Sequence, residues 1–150
     1  MPVDVLEEIV IDRPLAEVAA FAGNPDNATR WYVNIKSVEW KTAPPLAVGS
    51  QVAFVAEFLG RRIAYTYEII ALEPNAHLVM RTAEGPFPME TSYQWTAAGE
   101  ARTHMSLRNR GEPSGFSRLL APFMARAMRR ANRKDLQRLK ALLEGAETNR

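Results

Sequence analysis

The 150-residue sequence has no cysteine, only two histidines and no long apolar run. Without cysteine, disulfides, thiol nucleophiles and thiolate metal ligands are excluded, and a reducing compartment is compatible with the composition. No apolar stretch approaches the roughly 20 residues that a membrane-spanning helix needs. The first residues lack the basic and apolar regions of a secretory signal peptide. We therefore expect a cytoplasmic protein.

The remaining composition is that of an ordinary globular protein, with 47% hydrophobic and 24% charged residues. The formal net charge is only +2, so the chain as a whole is not strongly basic. A chain of this length most simply forms one domain with its own core. We expect residues 1–150 to be a single domain.

Two short helices are predicted directly after a first strand, Val3 to Ile11. Pro14 suits the first position of a helix because its missing N–H is not needed there, and Gly23 can end that helix. Asn24 is a favourable N-cap for a second short helix, which ends near Trp31. These helices form either a site or a structural plug for the sheet that follows.

After these helices the pattern changes to six strands separated by turn residues. Alternation along the strands gives one polar side, which carries both histidines, and one apolar side. The apolar side contains Val52, Phe54, Phe58, Ile63, Tyr65, Tyr67, Ile69, Leu78, Met80, Phe87, Met89, Tyr93, Trp95, Met105 and Leu107.

Turn lengths predict which residues lie opposite each other in the hairpins. The turns that fit are Gly60-Arg61, Pro74-Asn75, residues 83–86 and a three-residue loop that ends at Gly99. They predict the pairs Phe58 with Ile63, Ile69 with Met80, Met80 with Met89, and Tyr93 with Thr103.

A long helix is predicted from about Gly115 to Leu143, and Pro122 should kink it or mark its true start. Its apolar residues recur at helical spacing, so we expect the helix to cover the apolar side of the sheet. These residues are Phe116, Leu120, Phe123, Ala127, Leu136, Leu139 and Leu143.

The order and punctuation of these elements resemble the START-like (SRPBCC) helix-grip superfamily, and within it the polyketide cyclase/dehydrase and lipid-transport-like group. The matching residues are Glu8-Ile9-Val10-Ile11 with Asp12-Arg13-Pro14 and Val18, Asn24-Pro25 with Trp31, Val38-Glu39-Trp40, Val48-Gly49-Ser50, Tyr67-Glu68, Glu73-Pro74, Asp135-Leu136 and Leu139-Lys140. The resemblance implies an α+β helix-grip fold, in which a curved antiparallel sheet of about seven strands wraps around the C-terminal helix. It also implies an internal cavity for apolar ligands such as lipids, polyketides or hormones. We match no catalytic motif of the family.

The apolar side of the sheet is either ordinary core or, as the resemblance implies, the lining of a ligand cavity. The predicted ligand-binding residues are Phe54, Phe58, Tyr65, Tyr67, Met80, Met89, Tyr93, Trp95, Met105, Asn109, Phe116, Leu120 and Phe123. Trp31 and Tyr32 are predicted to border the cavity mouth. The alternative for Trp31 is that it packs the short helix onto the sheet.

Glu7 is the candidate for a catalytic or ligand-holding group, because it shares the parity of apolar residues in the first strand. The alternative is that Glu7 lies at an edge of the sheet and reaches water. His77 and His104 fall on the polar side, which argues against a catalytic histidine and against a histidine-based metal site. We expect no metal and no cofactor.

One side of the long helix is basic and includes Arg126, Arg129 and Arg133. Such a side is either solvated or in weak contact with an anionic membrane. We expect no nucleic acid partner, because no nucleic-acid-binding motif accompanies the basic residues.

Three functions fit the sequence. The first, which we favour, is the binding of an apolar small molecule or lipid. The second is a cofactor-free enzyme of the cyclase, aromatase or dehydrase kind, with Glu7, Tyr65, Tyr67 or Tyr93 moving protons. The third is an interaction module that uses the basic helix at an anionic surface. The sequence does not indicate the oligomeric state.

Overall fold

Seven antiparallel strands form one curled sheet in the order β1-β7-β6-β5-β4-β3-β2. The computed structural model describes residues 3–112 and 121–148. The elements are β1 Val3–Ile11, α1 Leu15–Ala22, a 3-10 turn Pro25–Asn27, α2 Ala28–Trp31, β2 Ile35–Trp40, β3 Gln51–Phe58, β4 Arg61–Glu73, β5 His77–Glu84, β6 Met89–Ala97, β7 Thr103–Gly111 and α3 Ala121–Thr148. The predicted α+β helix-grip architecture is confirmed.

The two short helices begin and end close to the predicted positions. Asn24 caps the 3-10 turn, since its side-chain oxygen accepts a hydrogen bond from the backbone N–H of Asp26 at 3.0 Å. Pro14 is the N-cap of α1 rather than its first helical residue. Trp31 ends α2 and is fully buried in the main core cluster. The corner that these helices form is therefore fastened to the core by Trp31.

The predicted sides of the sheet are correct, although most of the predicted hairpin registers are not. Phe58 lies opposite Arg61 rather than Ile63, because the two-residue turn is Leu59-Gly60. Both turn residues have positive φ, 51° at Leu59 and 76° at Gly60, as expected for the primed turns that match strand twist. A displacement of two residues leaves every side chain on its predicted side.

Two of the other hairpins are also displaced from the predicted register. The pair Ile69 with Met80 is confirmed. On the other side of β5, Met80 lies opposite Thr91 of β6 and not opposite Met89 as predicted. Tyr93 lies opposite Leu107 rather than Thr103, because five residues, 98–102, separate the last two strands. The loop between β6 and β7 is thus longer than the three residues predicted. The loop between β5 and β6, residues 85–88, has the predicted four residues, but the pairing of these strands already ends at Arg81 with Glu90.

The described part of α3 begins at Ala121 and places Pro122 in its first turn. The predicted residues Phe116 and Leu120 lie outside the described residues. Phe123 is 67% exposed, so the expectation that it packs on the sheet is wrong. Met124 takes the inward position instead. The side of α3 that faces the sheet carries Met124, Met128, Asn132, Asp135, Leu136, Leu139 and Leu143.

Helix α3 packs chiefly along β1 and against α2. The Lys140 ammonium donates to the Val10 carbonyl at 2.9 Å, and the Asp12 amide donates to the Glu144 carboxylate at 2.8 Å. These bonds hold the helix over one edge of the sheet, and within the described residues no helix packs its backbone extensively on β4 or β5.

Within residues 3–112 and 121–148, none of the helices combines the length and apolar character required to cross a bilayer.

Candidate functional site: the cavity between the sheet and helix α3

A cavity of about 140 Å³ separates the inner side of the sheet from α3. One end is closed by the corner between α1 and α2, where Ala22, Asn24 and Ala28 line it. One water molecule needs only about 10–15 Å³ of such space. The cavity therefore has room for a small organic ligand.

Aromatic and methionine side chains form most of the cavity wall. Tyr65 stacks on Phe54 with ring centres 5.5 Å apart and meets Tyr67 edge-on at 4.9 Å. The predicted binding residues that line the cavity are Phe54, Phe58, Tyr65, Tyr67, Met80, Met89, Tyr93 and Asn109, together with Tyr32 from the predicted mouth. Residues from several strands and the end of α2 are thus brought to one apolar wall.

Four of the predicted ligand-binding and mouth residues lie elsewhere among the described residues. Trp95 and Met105 are buried in the core and do not line the cavity. At Trp95 the reason is that α1 packs over this end of β6, and Gly23, the C-cap of α1, lies close to the Trp95 ring. Trp31 packs on Tyr32 at 4.1 Å between ring centres and is also absent from the cavity wall. Phe123, as described above, points to solvent.

Glu7 is not at the cavity wall, which corrects the expectation for an inward carboxylate. It shares the side of β1 with Val5 and Ile9, but it lies where α3 crosses the edge strand. Its carboxylate pairs with the Arg133 guanidinium at 3.2 Å. Glu7 therefore fastens α3 to β1, and it is not among the described residues that line the cavity.

Both histidines lie on the outer side of the sheet, as predicted. His77 is 3.7 Å from the Glu73 carboxylate, and His104 is 3.3 Å from that of Glu8. Among the described residues, no three acidic or histidine side chains are grouped as a metal site would require.

A chain of polar side chains crosses the cavity from the sheet to α3. The Thr91 hydroxyl donates to the side-chain oxygen Oδ1 of Asn109 at 2.6 Å. The side-chain nitrogen Nδ2 of Asn109 donates to Oδ1 of Asn132 at 3.0 Å. The hydroxyls of Tyr67 and Thr91 are 2.8 Å apart. Because Thr91 has a single proton, which it gives to Asn109, Tyr67 is the donor in this pair. The side-chain nitrogen of Asn132 is buried and has no hydrogen-bond partner in the described chain.

Asp135 adds a carboxyl group to the same wall, one helical turn after Asn132. The residue is 2% exposed, and one carboxyl oxygen accepts a hydrogen bond from the Val33 amide at 2.9 Å. Burial raises the pKa of Asp135 to about 6, while the Val33 bond and the charge of Arg138 act in the opposite direction. The group can therefore both give and take a proton close to neutral pH.

The cavity tyrosines are neutral hydrogen-bonding groups. The hydroxyls of Tyr32 and Tyr93 are hydrogen-bonded to each other. Burial raises the pKa of Tyr67 to about 12 and holds the pKa values of Tyr32, Tyr65 and Tyr93 well above their ordinary value. None of these phenols is a phenolate at neutral pH.

Asn132 and Asp135 are site residues that were not predicted from the sequence. Apart from Glu7, no charged side chain was expected at the inner wall. The signal was available, because Asn132 and Asp135 precede Leu136 and Leu139 by four residues each and so share their side of the helix. A polar residue within an apolar stripe is the pattern that would have identified them.

Comparison with known proteins decides the family. The model of the family described as polyketide cyclase/dehydrase and lipid transport matches residues 2–144. The chain belongs to this family. A search of curated proteins finds no match.

The solved structures that resemble this member of the polyketide cyclase/dehydrase and lipid transport family share its fold at low sequence identity. The protein TTHA0849 from Thermus thermophilus is 20% identical with a TM-score of 0.82, over 95% of this chain and 98% of that one. A START superfamily protein from Mycobacterium smegmatis is 12% identical with a TM-score of 0.80, over 95% and 98%. The Zhui aromatase/cyclase from Streptomyces sp. R1128 is 15% identical with a TM-score of 0.79, over 94% and 93%.

Proposed function

We propose that the protein binds an apolar small molecule or lipid in the cavity between the sheet and α3. The observation that carries this proposal is a cavity of about 140 Å³ lined by aromatic and methionine side chains together with a few polar groups. Ligand pockets have this composition, in which apolar walls supply affinity and a few polar groups orient the ligand. The family description, which names lipid transport, supports the same class of ligand.

Native mass spectrometry of the purified protein tests whether a small molecule is retained. Tetralin, an apolar two-ring probe, then tests the cavity in NMR titrations. Ala131 lines the cavity from α3, and Ala131→Leu should fill part of it and weaken tetralin binding by about tenfold or more. Ala141→Leu is the matched control, because Ala141 is exposed on the same helix. Equal tetralin affinity in the two variants would remove this cavity as the binding site.

A second candidate is a cofactor-free reaction of the cyclase, aromatase or dehydrase kind. The observation that favours it is Asp135, a buried carboxyl group at the cavity wall whose pKa is raised to about 6. Such a group could move a proton between a carbon and a carbonyl oxygen during an aldol ring closure, while the neutral phenols hold the chain in place. Asp135 takes the part that the sequence suggested for Glu7.

Incubation with a synthetic poly-β-ketone thioester tests this candidate. If the protein is a cyclase, mass spectrometry should detect ring products at rates above those of spontaneous cyclisation, and Asp135→Asn should lower the rate by about 10²-fold or more. Glu7→Gln serves as the control outside the cavity. The enzyme proposal fails if wild-type protein leaves the rate and the products unchanged.

The basic side of α3 supports a contact with anionic lipid. Arg126 and Arg129 are exposed, and Phe123 presents its ring to solvent one turn earlier. Arg133 contributes less than predicted, because it is paired with Glu7. Cationic and aromatic side chains on one side of a helix are the groups that bind membrane surfaces.

Sedimentation with vesicles that contain phosphatidylserine measures this contact. Arg126→Glu should reduce the bound fraction at low salt, whereas Lys36→Glu, an exposed charge change on β2, should not. Binding that does not depend on the anionic lipid content would contradict the proposal. We also propose that the protein is cytoplasmic, which the absence of cysteine supports. We propose that residues 1–150 form one domain.

A further inference from the structure

We infer that the cavity selects neutral ligands with a carbonyl oxygen, which the Asn132 amide holds, and that it discriminates against carboxylates such as free fatty acids. This inference rests on the proposed ligand binding and names the chemistry of the ligand.

The first observation is the side-chain nitrogen of Asn132. Asn132 is 4% exposed and lines the cavity, and its nitrogen has no hydrogen-bond partner within the described residues. Buried polar groups in native proteins are nearly always paired, so an unpaired donor at a cavity wall needs an explanation. A ligand oxygen in the cavity would supply the missing acceptor.

The second observation is the orientation of this amide. Its carbonyl oxygen already accepts a hydrogen bond from Asn109, which in turn is held by Thr91 and Tyr67. Because Asn109 donates its side-chain N–H to Asn132, rotating the Asn132 amide alone would place two N–H groups against each other and break the chain of bonds. The group that remains for a ligand is therefore a donor, and a donor selects an acceptor.

The third observation is the charge of the wall. The described residues that line the cavity include one carboxyl group, Asp135, and no lysine, arginine or histidine. An anionic ligand would leave water without meeting a counter-charge, and it would lie within one helical turn of Asp135. A ketone reaches the Asn132 donor without this penalty.

Three probes with the same two-ring skeleton separate these effects: tetralin, 1-tetralone and 1,2,3,4-tetrahydro-1-naphthoate. In NMR titrations of the whole protein near pH 8, 1-tetralone should bind about tenfold tighter than tetralin, because it satisfies the buried donor. The naphthoate should bind at least about tenfold more weakly than 1-tetralone.

Asn132→Asp tests the donor directly. Aspartate keeps an oxygen for the Asn109 amide and replaces the free nitrogen by an oxygen of the same size, so the preference for 1-tetralone over tetralin should disappear. Asn132→Leu removes both groups and should give the same loss, and circular dichroism verifies that each variant folds. Ala141→Leu should keep the wild-type preference. Asp135→Asn should narrow the gap between the naphthoate and 1-tetralone.

The outcomes separate this inference from the proposed function. If tetralin and 1-tetralone bind wild-type protein equally, or if Asn132→Asp keeps the preference, the inference is wrong while apolar binding stands. If the naphthoate binds as tightly as 1-tetralone, the claimed discrimination against carboxylates is wrong. If none of the probes binds, both proposals fail.

Discussion

At the scale of single residues, Asp135 is the feature that packing alone does not explain. A carboxyl group with one backbone hydrogen bond and almost no exposure destabilises the fold whenever it is ionised. Natural proteins retain such groups most often at functional sites, where the altered proton affinity is used. It lies on the cavity wall one helical turn from Asn132, whose side-chain nitrogen has no partner within the described residues, and this place supports a role in ligand binding or proton transfer.

The pH dependence of stability should reveal this cost. The pKa of Asp135 is raised from 3.8 to about 6 in the folded protein, so between these values the native state binds more protons than the unfolded chain. Its ionisation penalty is absent below about pH 4, grows as the pH rises and is complete above about pH 6, where it reaches roughly 3 kcal/mol. The contribution of Asp135 to the free energy of unfolding therefore falls as the pH rises.

Urea unfolding of wild type and Asp135→Asn measures this effect. The variant keeps an oxygen for the Val33 amide but cannot ionise. Its free energy of unfolding relative to wild type should rise by about 2–3 kcal/mol between about pH 4 and pH 8. A difference that stays constant over this range would mean that the pKa of Asp135 is not raised.

At the scale of elements, the turn between β3 and β4 contains a residue that fits its backbone poorly. Leu59 has φ of 51°, a conformation that β-carbon sterics disfavour for leucine and that asparagine and glycine tolerate. Its side chain is 58% exposed, so it contributes little packing. Gly60 and the pairing of the two strands determine the type of this turn. The backbone of Leu59 is strained as a result.

Leu59→Asn should therefore stabilise the protein by about 0.5–1 kcal/mol in urea unfolding. Val48→Asn is the control, because Val48 is similarly exposed, at 64%, and has no positive φ. Its stability should stay within about 0.5 kcal/mol of wild type. If the control gained as much as Leu59→Asn, the added polar side chain rather than relief of backbone strain would be the cause.

The corner between α1 and α2 is explained at the same scale. It closes one end of the cavity, since Ala22, Asn24 and Ala28 belong to the wall. Trp31 fixes the corner in the core, and the next residue, Tyr32, reaches into the cavity and bonds to Tyr93. The two short helices are thus a structural plug that also supplies one polar group to the site.

At the scale of the whole molecule, the cavity exists because a seven-stranded sheet is wider than one helix. Helix α3 packs along β1, and Met124, Met128 and Asn132 extend from it to the cavity wall. A protein optimised for stability alone would fill this space, since unfilled volume in a core costs free energy. The space is compatible with selection for a ligand.

Ala131→Leu should show this trade-off. Added methyl groups in the cavity gain packing, so the thermal midpoint should stay equal to wild type or rise by a few degrees, while ligand affinity falls. Ala141→Leu should change neither quantity. A large drop in the midpoint for Ala131→Leu would mean that the wall is already tightly packed at Ala131.

The sequence by itself determined the sides of the sheet and the order of the elements. Side chains alternate strictly along a strand, so Phe54, Tyr67 and Tyr93 fall on the inner side whichever hairpin register is chosen, provided the displacement is even. The start of the 3-10 turn at Asn24 is equally local, because the capping hydrogen bond joins residues only two positions apart. Local chemistry decides such features before any tertiary contact forms.

The tertiary structure alone decided which inward residues line the cavity. Trp95 shares the inner side with Tyr93, yet α1 covers it. Phe123 follows the apolar spacing of α3, yet the helix packs with Met124 inward. The angle at which α3 meets the edge strand is set by many distant contacts at once, and those contacts also bring Asn132 to Asn109 and Asp135 to Val33. Spacing along the chain carries no information about that angle.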